Sequence, residues 1–381
     1  MAVERYRPPS KPFGVNLLGL LQSEKGVGEA ARTTARALAA AGIPVAFNNY
    51  IDDDSVNLDE SIGEFHDDNP YPVNLIHLNG DFCAYLGAKY PWYFKGRYNI
   101  GFWNWELERF PDGWMDAFRS LDEVWTPSTF TQQSIARVSP CPVYRVPYAI
   151  DVPPCPADSL DRSRFRLPRN AFVFLFAFDV KSIFARKNPI AVVEAFRLAF
   201  GQRRDVALAI KPIRSEALPQ MFAELVIACR GQANIRILRE TLPRPEMCAL
   251  LNLCDAYVSL HRSEGFGLPL AEAMALGKPV IATNYSANVD FMNESNSLPV
   301  RYRMVTIDQD DGPYRRGAQW ADPDVTHAAE QMRRLVDTPG LAAALGARAQ
   351  ADITRTISPQ AVGVIVRQRL EEIHRSCLPS R

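Results

Sequence analysis

The stretch from Ser263 to Val280 reads SEGFGLPLAEAMALGKPV and holds two carboxylates, Glu264 and Glu272, eight positions apart. Between them lie a glycine-rich turn and the beginning of a helix. Pro269 suits the first turn of that helix, because its missing N–H would have no partner there anyway. Gly277 suits the left-handed residue that ends a helix. The pattern therefore predicts a short helix whose start is fixed.

The turn before this helix offers backbone N–H groups to a ligand. The apolar run from Ala256 to Leu260 predicts a strand just upstream, so the turn lies at the carboxyl end of a strand, where open α/β sheets bind ligands. The N–H groups belong to Gly265, Phe266, Gly267 and Leu268. They lie at the positive end of a helix dipole, which favours a phosphate or a sugar hydroxyl.

This pattern resembles the nucleotide-sugar signature of the retaining glycosyltransferases of family 4, which have the GT-B fold. In that family the first glutamate of the E-x7-E pattern approaches the donor sugar, and the second holds the ribose hydroxyls of the nucleotide. The resemblance implies these roles for Glu264 and Glu272. The two glycines, the proline and the following Gly-Lys-Pro-Val also match the family pattern.

The whole chain alternates strand-like and helix-like segments, which predicts an α/β fold with parallel sheets. Its 381 residues fit two domains of roughly 150 to 200 residues each. We expect two Rossmann-like domains facing a cleft, as in GT-B proteins. Residues 1–155 would form an N-terminal acceptor-side domain and residues 156–357 a C-terminal domain that binds the nucleotide-sugar. Residues 358–381 have helical spacing and would, by the resemblance, return to the N-terminal domain.

A second candidate site is the loop QSEKGVGE, residues 22–29, between the first predicted strand and helix. Gly26 and Gly28 would let the backbone approach a ligand closely. Family 4 enzymes place a glycine-rich loop here, against the donor diphosphate. The resemblance therefore implies that both glycines contact the donor, although a plain strand-to-helix turn is the alternative.

A third candidate site is DVKSIFARKNP, residues 179–189, after the first strand of the second domain. Family 4 enzymes carry an arginine just after this strand and a lysine some residues later, both on the diphosphate. Lys187 matches the lysine, but Asp179 stands where the arginine is expected. Arg186, or alternatively Lys181, would then supply the missing charge. Glu264, Lys187 and Arg186 are the predicted catalytic residues.

Aromatic and polar residues in YNIGFWNWELERFPDGW, residues 98–114, form a fourth candidate site. Many family members have a histidine at the end of this strand, whereas this chain has Trp105 and Glu106. Aromatic rings can pack on the C–H faces of a sugar, and polar side chains can bind its hydroxyls, so this combination suits a sugar-binding site. His77 ends another strand on the same expected edge. These three residues are predicted sugar or acceptor contacts, with the alternative that a tryptophan or the histidine is simply core.

Charge and cysteine content exclude several classes of protein. Lysine plus arginine and aspartate plus glutamate both number 43, so no net field attracts nucleic acid. The seven cysteines include no CxxC pair, which favours reduced thiols in the cytoplasm. The first residues, MAVERYRPPSKP, do not resemble a signal peptide. The acidic runs at 52–54 and 308–311 lack the ligand pattern of a metal site and are expected to be solvated loops.

The resemblance implies a retaining, metal-independent glycosyltransferase that uses no cofactor. Its donor would be a nucleoside diphosphate sugar, with GDP-mannose favoured by likeness to bacterial polysaccharide-assembly mannosyltransferases. The acceptor would be a glycan or lipid-linked saccharide, and peripheral contact with the inner face of the membrane stays open. Two other classes also stay open. One is a GT-B epimerase or hydrolase that acts on the donor alone, and the other is a silent nucleotide-binding subunit.

Overall fold

A computed structural model describes residues 12–152 and 160–377. The chain divides into two compact units, Met1–Asp151 with Arg355–Arg381, and Val152–Thr354. The predicted boundary between residues 155 and 156, and with it Cys155, lies outside the described residues. The predicted boundary after residue 357 falls three residues beyond the observed one.

The first unit is built on a six-stranded parallel sheet. Its strands are β1 (Val15–Gly19), β2 (Val45–Asn49), β3 (Val73–His77), β4 (Tyr98–Phe102), β5 (Glu123–Thr126) and β6 (Val143–Arg145). Their order across the sheet is β2-β1-β3-β4-β5-β6. The helices are α1 (Gly26–Ala40), α2 (Gly80–Lys89), α3 (Pro91–Phe94) and α4 (Thr129–Ala136). Nearly every residue of β1 and β3 is buried, as expected where helices cover both faces of a parallel sheet.

The second unit contains another six-stranded parallel sheet, with the order β12-β11-β10-β7-β8-β9. Its strands are β7 (Phe172–Asp179), β8 (Val206–Ile213), β9 (Ile235–Ile237), β10 (Ala256–Ser259), β11 (Val280–Thr283) and β12 (Leu298–Val300). A separate antiparallel hairpin pairs β13 (Tyr302–Thr306) with β14 (Gln319–Pro323). The sequence analysis did not predict this hairpin or β12.

The helices of the second unit surround this sheet. They are α5 (Phe184–Lys187), α6 (Pro189–Phe200), α7 (Pro219–Ala228), α8 (Arg244–Leu253), α9 (Leu268–Ala275), α10 (Val325–Asp337) and α11 (Leu341–Ile357). The strand order reverses between β7 and β10, and such a switch point is where open α/β sheets bind ligands. On β7, Phe174 packs against Phe196 and Phe200 of α6.

The last helix, α12 (Pro359–Cys377), packs on α1 of the first unit. Gly363 makes this approach possible, because a Cβ at that position would lie 2.9 Å from the carbonyl oxygen of Ala37. The predicted return of the C-terminal helix is therefore confirmed, as are the two Rossmann-like domains. No described helix, including the 19-residue α12, is both long and apolar enough to cross a membrane.

Candidate active site

The candidate site centres on the carboxylate of Glu264, which follows β10 at the switch point of the second sheet. Lys187 forms an ion pair with its Oε1, and an Nη atom of Arg186 lies 3.2 Å from its Oε2. Burial alone would raise the pKa of Glu264, but Lys187 and Arg186 outweigh that effect and lower the pKa to about 2. Glu264 is therefore an anion at every physiological pH.

Arg186 is buried behind this carboxylate. Its guanidinium donates to the carbonyl oxygens of Ser182 at 3.0 Å and Ser263 at 2.9 Å. Its own carbonyl accepts the N–H of Arg262 at 2.8 Å. Because these bonds fasten the loop after β7 to the loop after β10, Arg186 orients Glu264. Its predicted role as a cation that faces the diphosphate stays a prediction.

The turn from Gly265 to Leu268 has the backbone shape that the sequence analysis expected. Gly267 is the N-terminal cap of α9 with φ +93°, and its carbonyl accepts the N–H groups of Leu270 and Ala271. The helix closes near Gly277, whose φ is +70°. The ring of Phe266 is buried, so this residue would offer a ligand its backbone only.

Two non-glycine residues with positive φ lie on either side of α5. Among the described residues, the non-glycine positions with positive φ are Arg166, Ile183, Asn188, Arg214 and Ser286. Ile183 and Asn188 bracket α5, which carries both cations. Such conformations cost about 1–3 kcal/mol each and persist where the surrounding structure enforces them. The conformations of Ile183 and Asn188 are therefore enforced by the structure around α5.

Ser286 and His261 are two further buried residues that interact with Glu264. The hydroxyl of Ser286 accepts the N–H of Glu264 at 2.8 Å. His261 is fully buried, with Nε2 3.0 Å from the side-chain oxygen of Asn288 and Nδ1 3.1 Å from the hydroxyl of Ser259. Burial lowers the pKa of His261 to about 4, so the ring is neutral at pH 7. The sequence analysis did not identify these supporting residues.

Glu272 lies on α9 and is also buried. An Nη atom of Arg244, at the start of α8, lies 2.5 Å from its Oε1. This arginine was missed, because no sequence spacing connects it with a carboxylate 28 residues away. This ion pair orients the side chain of Glu272. The binding of ribose hydroxyls by Glu272 stays a proposal.

Asp179, which stands in the place expected for an arginine, is paired with one. Arg214 follows β8 and forms a two-point ion pair with Asp179, including Nε to Oδ1 at 3.1 Å. Asp179 also accepts the N–H of Lys181 at 2.9 Å. The sequence analysis considered Arg186 and Lys181 as the replacement charge and did not consider Arg214.

The glycines of the N-terminal loop lie in the first turn of α1 rather than in a free loop. A Cβ on Gly28 would lie 2.3 Å from the carbonyl oxygen of Ser23 and 2.7 Å from that of Leu20, so this glycine is needed by the turn itself. A Cβ on Gly26 would meet no atom within 4 Å. Arg32 holds the turn by donating to the carbonyl of Ser23 at 2.8 Å. Gly26 therefore remains the candidate for contact with a ligand.

Two of the predicted sugar contacts in the first unit belong to its core. Trp105 is 2% exposed and its Nε1 donates to the carbonyl of Arg109 at 2.8 Å. His77 is 4% exposed and stacks on Phe102 with ring centroids 4.1 Å apart. Their burial favours the alternative that both rings are core residues, and contact with a sugar stays a prediction. Glu106 is partly exposed and remains a candidate.

The burial of His77 predicts a pH-dependent stability. Its Nε2 lies 2.8 Å from the hydroxyl of Thr34, and burial lowers the pKa of the ring to about 3. Between pH 6.5 and pH 4 the unfolded ring takes up a proton that the folded ring does not. As the pH falls through this range, His77 should therefore lower the free energy of unfolding by up to about 1.4 kcal/mol per pH unit. Urea unfolding of His77→Gln at pH 7 and pH 5 should show a smaller decrease than the wild type, and an equal decrease would contradict the assignment.

Two aspartates of the acidic run after β2 share one lysine. The amine of Lys25 lies 2.8 Å from Asp52 and 3.1 Å from Asp54. In the later run, Asp310 pairs with Arg315 at 3.0 Å. Both runs therefore contain aspartates that pair with a nearby cation, and their lack of a metal stays a prediction.

The chain is similar to a known protein family and to several curated proteins. A family model described as "Glycosyl transferases group 1" matches residues 161–352, which are 192 of the 381 residues. D-inositol 3-phosphate glycosyltransferase 1 of Catenulispora acidiphila is 30% identical over 182 residues, covering 44% of this chain and 42% of that protein. The chain spans less than half the length of the curated relatives that it matches.

Solved structures share the fold across nearly the whole chain. Sucrose-phosphate synthase from Thermosynechococcus elongatus has a TM-score of 0.69 at 15% identity, covering 96% of this chain and 100% of that one. Anabaena Alr3699/HepE in complex with UDP and glucose has a TM-score of 0.65 at 14% identity, covering 95% and 100%. At such identities the likeness establishes a GT-B type of fold.

Proposed function

The chain belongs to the group 1 glycosyl transferases, and on this premise we propose that it transfers a sugar from a nucleoside diphosphate sugar to an acceptor hydroxyl. The observation that carries the proposal is the buried ion cluster of Glu264, Lys187 and Arg186 at the switch point of the second sheet. We assign the enzyme to the retaining enzymes of family 4 because Glu264 and Glu272 match that pattern.

The proposed roles follow from charge and position. Cleavage of the sugar–phosphate bond places negative charge on the leaving diphosphate, so fixed positive charge lowers the barrier. Lys187 and the N–H groups of the turn before α9 would supply it. Glu264 stays ionised and would accept hydrogen bonds from the donor sugar. Glu272, oriented by Arg244, would accept hydrogen bonds from the ribose hydroxyls.

Retention of configuration is part of the proposal. The acceptor would attack from the side that the diphosphate leaves, and a phosphate oxygen of the donor would take the acceptor proton. The scheme uses no metal, and Lys187 with the turn N–H groups would stabilise the negative charge of the diphosphate. Water must be excluded, since it would otherwise compete as an acceptor.

The stereochemical test follows directly. With an α-linked donor the product linkage should be α, and activity should be unchanged in excess EDTA. NMR of the anomeric proton of the product, with and without EDTA in the assay, measures both. A β-linked product, or activity lost in EDTA and restored by manganese, would remove the chain from the proposed mechanism.

Donor and acceptor are proposed at the level of class. GDP-mannose is favoured by likeness to polysaccharide-assembly mannosyltransferases, and UDP-glucose is a second choice because the Anabaena structure holds UDP and glucose. The acceptor would be a glycan or a lipid-linked saccharide, reached in the cytoplasm or at the inner face of the membrane. A thermal-shift screen of nucleoside diphosphates tests the donor, since a ligand at 100 times its dissociation constant adds about 2.7 kcal/mol of stability.

A further inference from the structure

The ion pair formed by Arg214 and Asp179 is more buried than a typical surface ion pair, and its geometry would also suit a bound phosphate. The two side chains are only 16% and 14% exposed. Arg214 has φ +55°, a conformation that costs an arginine free energy and that the fold maintains directly after β8. Its guanidinium meets the carboxylate at two points, a geometry that suits carboxylate and phosphate equally.

The pair lies beside the candidate site. Asp179 ends β7, and its carbonyl accepts the N–H of Ser182 at 3.1 Å. The carbonyl of Ser182 in turn accepts a hydrogen bond from Arg186, which contacts Glu264. The arginine is therefore connected to the candidate carboxylate through one short loop, at the same carboxyl edge of the sheet.

A second basic residue, Lys211, lies near the end of β8. Lys211 is 2% exposed, and its amine donates to the carbonyl of Pro212 at 3.0 Å. Burial lowers the pKa of Lys211 to about 8, while the carboxylates of Glu216 and Glu240 act in the opposite direction. Lys211 and Arg214 are thus two basic residues within four positions at the end of this strand.

We propose that Arg214 binds the diphosphate of the donor, and that Asp179 both orients the guanidinium and competes with phosphate for it. This inference rests on the proposed function and adds a donor-binding residue to it. In the empty site the carboxylate occupies the guanidinium. When the donor binds, its phosphate oxygens replace the carboxylate as partners of at least part of the guanidinium.

The inference predicts opposite effects for the two partners of one ion pair. Arg214→Gln should weaken binding of the nucleoside diphosphate by about 10- to 100-fold, because bonds from a charged donor are lost. Asp179→Asn should strengthen it by several-fold, because the competing charge is gone. Binding of the matching nucleoside, which has no phosphate, should be nearly unchanged in both. Calorimetric titration with UDP, GDP, uridine and guanosine measures these affinities.

The fold supplies a matched control at the other end of the same strand. Arg203 forms a two-point pair with Asp205, at 3.1 and 2.8 Å, just before β8. Arg203→Gln should leave diphosphate affinity unchanged. Circular dichroism and a thermal melt verify folding, and Arg214→Lys should recover part of the affinity if the arginine variant is unstable.

Three results separate the hypotheses. If the wild type binds none of the diphosphates, the proposed function itself is contradicted. If the wild type binds one, and Arg214→Gln binds it equally well, only the inference about Arg214 is overturned. Equal losses in Arg214→Gln and Asp179→Asn would also overturn it, because a purely structural pair is broken by either change.

Discussion

Replacement of Lys187 by alanine is expected to lower turnover about 100- to 1,000-fold while changing the Michaelis constant for the donor much less. The reason is that the diphosphate gains negative charge as the sugar leaves, so the ammonium stabilises the transition state more than the bound donor. Steady-state kinetics with a saturating donor measure the two constants separately.

The ion pair with Glu264 gives this variant a second signature. Lys187 is the strongest of the charges that lower the pKa of Glu264, so its loss should raise that pKa and move the acidic limb of the pH–rate profile upward. Lys278→Ala is a suitable control, because this lysine precedes β11 and its amine binds the carbonyl of Asn252. Normal turnover of a folded Lys187→Ala variant would mean that the lysine serves the fold alone.

Much of the fold could be predicted because the strands are apolar runs bounded by turn residues. The strand predicted from Ala256 to Leu260 is β10, which ends one residue earlier, at Ser259. The hairpin of β13 and β14 escaped prediction because β13 is mostly exposed, with Tyr302 40% and Met304 37% accessible. A strand without a buried face leaves no apolar alternation in the sequence.

The candidate site was predictable where the pattern is local. Glu264, Glu272 and the turn between them lie within one short segment, whose backbone shape follows from Gly267 and Gly277. The sequence also singled out Lys187, yet its contact with Glu264 joins residues 77 positions apart. Such a contact depends on which strands become neighbours in the sheet, and a single sequence does not fix that order.

Burial was the property that the sequence left open. His77 and Trp105 were predicted to contact a sugar, with the alternative that they are core residues, because they lie near strand ends and strand ends also supply core side chains. Arg186 was expected to face the diphosphate, and its guanidinium contacts the carboxylate of Glu264 and two backbone carbonyls inside the protein. Burial is set by packing across elements, which the local pattern does not encode. Arg214 and Arg244 were missed for the same reason, since their partners lie on other elements.

The attachment of α12 to the first unit depends on a buried charge pair and not only on apolar packing. Glu123 on β5 is fully buried, and Arg369 on α12 lies 2.5 Å from its Oε2. Tyr98 and Trp125 donate to the same carboxylate at 2.9 and 2.6 Å. The ring of Tyr144 lies 4.1 Å from the guanidinium. The carboxylate is thus fully satisfied as long as the helix is in place.

Arg369→Leu is therefore expected to lower the free energy of unfolding of the first unit by about 3–5 kcal/mol, because it leaves a buried carboxylate without its cation. Urea unfolding followed by tryptophan fluorescence reports on this unit, which contains five of the six tryptophans. Glu371→Gln, which breaks an exposed pair on the same helix, should cost less than about 1 kcal/mol. Adding Glu123→Gln to Arg369→Leu should recover part of the loss, since no uncompensated charge then remains. If the double variant were no more stable than Arg369→Leu, packing rather than charge would explain the attachment of α12.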